Sequence, residues 1–186
     1  IGLPIWFAIG VLINLSNKFG EVIGVSEPVK VADSVMYAYI GLSFGDLLSG
    51  LLSQIFRSRK KVVVGYLILS GVLLLVYVFN RGVSIAYFHF LCFLLGTATG
   101  YWALFVTIAS EQFGTNIRST VTTTVPNFVR GAVVPITLSF TALIPHVGVV
   151  YSAIIVGGVC LSLAFYAILN VKETFSKDLD YVDEIS

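Results

Sequence analysis

Two ionisable residues, Asp46 and Arg130, stand inside long apolar runs where charge is costly. Asp46 precedes Arg57 by eleven residues, about 16 Å of helix, and Arg130 follows Arg118 by twelve, about 18 Å. Half of a hydrocarbon core is about 15 Å, so both charges are expected near the midplane if these runs cross a bilayer. Each costs about 2.5–3.5 kcal/mol there on insertion scales, which makes function the default reading of such a residue. Opposite charges at matched depth predict a pair, or two walls of one polar cavity; the competing reading is an ion pair that only fixes helix packing. In a cavity, Arg130 is the natural counter-charge for an anionic group. Asp46 is a candidate carrier of a coupling proton, or the partner that holds Arg130 until solute displaces it.

Around Arg130 the polar residues Thr120, Thr123, Thr124, Asn127, Thr137 and Thr141 recur at helical spacing and draw one stripe down an otherwise apolar segment. Hydroxyl, amide and guanidinium groups are wasted against lipid, so the stripe is expected to face water or solute, with Asn127 and Thr123 orienting what Arg130 binds. Pro126 and Pro135 lie in the same segment and permit bending. Threonines beside prolines also have a plainer use, bonding the carbonyls that proline leaves free.

The elements that position these groups follow from composition. Of 186 residues, 57% are apolar and 11% charged, with a mean hydropathy of +0.95. An average soluble domain is roughly 25% charged. Lipid is therefore the solvent for most of the chain, which excludes a soluble enzyme, a disordered chain and a disulfide framework. A net charge of +1 offers nucleic acid no basic patch. His89 and His146 lie towards one side without a nucleophile or metal-ligand cluster, so neither an enzyme nor a cofactor is expected.

The runs predict an all-α membrane protein with six crossings, at about residues 1–15, 34–56, 62–79, 83–110, 119–144 and 149–171. The last two are separated at Pro145-His146-Val147-Gly148. The first is expected to be the outer end of a helix that begins upstream. Residues 1–171 then form a six-helix transmembrane unit, and 172–186 a tail carrying Asp178, Asp180, Asp183 and Glu184. Seven Lys and Arg (Arg57, Arg59, Lys60, Lys61, Arg118, Lys172 and Lys177) fall on one side of the membrane. Three (Lys18, Lys30 and Arg81) fall on the other. Basic loops stay inside, which predicts a cytoplasmic C-terminus in a plasma or inner membrane. Gly96-x-x-x-Gly100, and Gly41, Gly45 and Gly50, predict close helix–helix approach.

The cytoplasmic ends carry three motifs. Gly50-Leu51-Leu52-Ser53-Gln54-Ile55-Phe56-Arg57-Ser58-Arg59-Lys60-Lys61 resembles the glycine-to-basic loop signature of the major facilitator superfamily in its second-half copy, with Gln54 at the family's acidic position. Glu111-Gln112-Phe113-Gly114-Thr115-Asn116-Ile117-Arg118 is similar to the acidic-aromatic-(Pro/Gly)-Thr-x-x-Arg motif of the next such turn, with Gly114 for the usual Pro. Lys172-Glu173-Thr174 is similar to the Pro-Glu-Thr tail of sugar and metabolite porters, with Lys172 for Pro.

The resemblance implies the C-terminal six-helix half of a twelve-helix secondary transporter. Its partners would be membrane lipid, an N-terminal half and a small polar or anionic solute moved by alternating access, with a proton as candidate coupling ion. Independently of that name, Arg57, Arg59, Lys60, Glu111, Arg118 and Glu173 share the cytoplasmic mouth, where pairing across helix ends would hold one conformation closed as a gate. The plainer reading is that the basic residues set topology and Glu111 caps a helix. The alternative function is a transporter-like sensor or scaffold without transport activity.

Overall fold

Helical chain occupies almost all of the computed structural model, which describes residues 1–175; among these no strand occurs. Lys177 and the four acidic tail residues lie outside the described residues. α1 (Leu3–Phe7) continues through a π-helical turn (Ala8–Ile13) into α2 (Ser16–Ile23). Then follow α3 (Val31–Ile55), α4 (Arg59–Phe79), α5 (Ile85–Thr99), α6 (Trp102–Glu111), α7 (Thr115–Gly131) and α8 (Val133–Asn170).

Four helical runs are long and apolar enough to cross a membrane: Val31–Ile55, Arg59–Phe79, Ile85–Glu111 and Thr115–Asn170. The last spans 56 residues and doubles back at Gly148, whose φ of 79° and ψ of 169° are not helical. Pro135, Ile136 and Leu143 consequently line one small cavity with Ile155, Val156 and Leu163. This is the reversal expected between the fifth and sixth segments, and with the leading run it gives six helical legs.

Boundaries differ from the expectation for local reasons. The first leg continues to Ile23 instead of stopping near Leu15, because α2 is amphipathic. Its Phe19 stacks on Phe140 and meets Tyr77 edge-on, at centroid distances of 5.9 and 5.4 Å. The third leg begins at Arg59, where Ser58 is the N-cap and accepts from the Lys61 N–H at 3.2 Å. The fifth is divided at Ala132, between α7 and α8: Pro135 has no N–H to offer the Gly131 carbonyl four residues back, and its ring crowds that carbonyl.

α3 and α5 pack backbone to backbone. A Cβ on Gly41 would lie 2.0 Å from the Phe93 carbonyl oxygen, and one on Gly96 would lie 1.9 Å from that of Ala38. Gly45 and Gly100 meet in the same way one turn on, so both small-residue motifs belong to a single interface; Gly50 lies outside it, in open space. Tyr66 spans to the Gly45 carbonyl (2.9 Å), and Tyr77 to the Leu12 carbonyl (3.0 Å) in the π-helical turn, where the wider winding disturbs the usual ladder. The exterior is apolar, with Leu47 77% and Leu138 65% exposed, as lipid requires. α7 is the exception: it buries none of its residues and carries the polar stripe, alongside an apolar side on which Phe128 is 81% exposed.

Candidate functional site

The fourth leg is not one helix. α5 ends at Thr99 and α6 starts at Trp102, leaving Gly100 and Tyr101 non-helical in the middle of an apolar run. Gly100 lies so close to the Gly45 backbone that a Cβ would come within 2.5 Å of it. Unpaired backbone groups at this depth are costly, and here they find partners. The Thr97 carbonyl accepts from the Gly100 N–H (3.1 Å), the Ala98 carbonyl from Ser70 Oγ (2.9 Å), and the Thr99 carbonyl from the Tyr101 N–H (2.9 Å).

The new helix start exposes its own N–H groups, and Asp46 of α3 serves them. Its Oδ1 accepts from the Ala103 N–H at 3.2 Å, with Trp102 as a second backbone donor. A carboxylate also suits the positive end of the α6 dipole. Asp46 therefore caps, from a neighbouring helix, a half-helix that begins inside the apolar zone.

From this cap a chain of rings leads to Arg130. Trp102 meets Trp6 of α1 edge-on at 5.8 Å, and the Arg130 guanidinium carbon lies 5.5 Å from the centre of the Trp6 ring. Phe105 supports Trp102 from below at 5.4 Å. The Trp6 indole N–H is buried without a hydrogen-bond partner among the described residues. Asp46 and Arg130 do not form the ion pair expected as one of two arrangements. Two indoles stand between them, and each charge has a different partner: a helix N-terminus for the carboxylate, a π face for the guanidinium. They are the two ends of one wall.

Arg130, Asn127 and Thr123 are exposed on α7. Thr123 Oγ1 donates to the Thr120 carbonyl (3.0 Å) and Asn127 Nδ2 to the Thr123 carbonyl (2.9 Å). Thr122 and Thr141 also bond the carbonyls four residues back. The stripe is thus exposed and partly engaged with its own backbone. That engagement uses hydroxyl hydrogens and an amide N–H, leaving the oxygens as acceptors.

The sequence does not single out Trp6, and it does not decide whether Tyr101 and Trp102, just beyond the Gly96–Gly100 motif, face a cavity or sit in ordinary packing. The structure separates the latter two. Tyr101 is fully buried and donates to the Ile1 carbonyl at 3.1 Å, while Trp102 is half-buried in the wall. A signal for the wall did exist: the chain has only two tryptophans, and both are in it.

The expected gate residues lie at the end of the legs that carries Ser58 and Val171. Arg59 pairs with buried Glu111 and also donates to Thr174 Oγ1 at 3.3 Å. Glu173 accepts from Ser58 Oγ and from the N–H groups of Arg59 (3.1 Å) and Lys60 (3.3 Å), capping α4. Partial burial works against its charge, but the donors from Ser58, Phe175, Arg59 and Lys60 outweigh it and hold the Glu173 carboxyl below its ordinary value. Lys60 Nζ donates to the Leu169 and Val171 carbonyls, at 2.7 and 3.0 Å. Arg59, Lys60, Glu111 and Glu173 thus tie the start of α4 to the ends of α6 and α8. Arg118 donates to the Phe113 carbonyl at 3.1 Å, and Arg57 is exposed beside the cluster.

Comparison with known protein families, curated proteins and solved structures gives no match to this chain.

Proposed function

We propose that this chain is one six-helix half of a secondary transporter that moves a small polar or anionic solute by alternating access. One observation carries the reading: a helix interrupted within an apolar leg, with a carboxylate on its new N-terminus and an aromatic wall running from there to an exposed guanidinium. Interrupted helices recur where transporters bind solute, since a half-helix terminus presents oriented backbone groups in a low-dielectric setting. In this reading Arg130 takes an anionic group of the solute, the indoles pack on its apolar face, and Asn127 and Thr123 present acceptors to its hydroxyls. Asp46 is the candidate proton carrier: on protonation its charge leaves the α6 terminus, which links proton uptake to the geometry of the wall.

The Arg59–Glu111 and Glu173 contacts would hold the mouth in one state and break in the other. The charge asymmetry of the loops, with the resemblance of the three cytoplasmic motifs, supports a cytoplasmic mouth at the Arg57–Lys61 end.

The test is flux. The chain, reconstituted with a second six-helix half, is challenged with a panel of carboxylates and hexoses while a trapped pH-sensitive dye and radiolabel report proton and solute entry. Arg130→Gln should reduce carboxylate entry at least tenfold at unchanged incorporation. Entry undiminished by this substitution removes Arg130 from the site.

A further inference from the structure

We propose that the seam between α3 and α4 binds one anionic phospholipid, with an acyl chain in the seam and the headgroup on Arg57 and Lys61. α3 packs tightly on α5, and between α3 and α4 lies a groove of about 430 Å³. Leu48, Leu52 and Phe56 form one wall, and Val62, Gly65 and Leu69 the other. Gly65 keeps it open, since nothing lies within 4 Å of where its Cβ would be.

The groove does not end on more apolar surface. Lys61, at its end, also lines a second recess of about 620 Å³ together with Arg57, Lys60 and Glu173. Lys60 and Glu173 are already engaged, by helix-end carbonyls and by the α4 N-terminus respectively. The side chains of Arg57 and Lys61 have no hydrogen-bond or ion-pair partner among the described residues.

Arg57 also adopts a φ of +47°, a left-handed conformation that glycine takes freely at a helix C-terminus and other residues resist. An arginine is held there against that preference. Two cations without a partner among the described residues, at adjoining helix ends and continuous with an apolar groove, match an amphiphile with a negative head. A soluble anion would leave the groove unused, and an uncharged lipid would leave both cations unused. The site requires only that these helices cross a membrane, and stands apart from the transport reading.

Native mass spectrometry of the detergent-purified chain, dosed equally with dioleoyl phosphatidylglycerol or dioleoyl phosphatidylcholine, tests this. The wild type should retain the anionic lipid at least tenfold better. R57Q/K61Q should lose that preference, and Gly65→Leu, whose Cβ has open space and whose longer side chain would enter the groove, should weaken retention of phosphatidylglycerol at least fivefold. Glycerol 3-phosphate, a headgroup without chains, should not displace the lipid. Equal retention of both lipids by the wild type, a preference that survives both variants, or displacement by glycerol 3-phosphate overturns the proposal.

Discussion

Asp46 shows how one side chain joins a folding requirement to a chemical opportunity. Its carboxylate supplies the acceptor that the first N–H groups of α6 lack within their own helix. Replacing it with Leu removes the acceptor at the α6 N-terminus and should cost about 0.5–2 kcal/mol, whereas Asn keeps an acceptor and should cost only a few tenths, about 0.3 kcal/mol. Thermal unfolding of both variants in one detergent checks the order, and equal stability of the two would remove the capping role. Charge at depth made Asp46 and Arg130 conspicuous in the sequence, because nothing else in an apolar run costs as much. Trp6 was not conspicuous. An indole in a greasy segment looks like any packing aromatic, and its position between Trp102 and Arg130 arises from contacts across about a hundred residues of chain.

Among the elements, the α3–α5 pair is the most constrained, because backbone meets backbone along both glycine motifs. Gly96→Ala would push a methyl group into the Ala38 carbonyl and force the helices apart, a loss of about 3 kcal/mol or more. Gly50→Ala on the same α3 has open space and should be neutral or stabilising by up to about 1 kcal/mol. Comparing their midpoints of thermal unfolding separates a true interface from a loose one; similar losses at both positions would deny the close contact. The reversal at Gly148 was legible, since Pro and Gly together punctuate a run too long for one crossing. The break at Gly100 was not. The same Gly-x-x-x-Gly spelling that announces helix packing there also ends a helix, and only the neighbour that presses on Gly100 distinguishes the two uses.

At the scale of the whole molecule, one end of the legs is tied by charge and the wall lies among exposed polar groups. The tie has a pH signature. Glu173 is held below its ordinary value near 4.5, so its contribution to stability is fully present above that value and is lost as pH falls through the lower folded-state value. Wild type should therefore exceed Glu173→Gln in unfolding midpoint at pH 7 and converge with it at acidic pH. A gap that persists below the folded-state value would assign the difference to packing. Six helical legs were legible from hydrophobic run lengths. The absence of an Asp46–Arg130 pair was not, because depth along a helix carries no information about which way a side chain faces until neighbours fix the rotation.

In the proposed transporter the α7 stripe faces water, while the exposed apolar surface faces lipid. Cys92 and Cys160 are both buried and leave a low background for a thiol reagent. Single cysteines at Asn127 and Leu138, in bilayers treated with a charged maleimide, give the most direct measurement. Asn127→Cys should label rapidly and Leu138→Cys almost not at all; an Asn127→Cys as inert as Leu138→Cys would place the stripe against lipid and overturn the cavity.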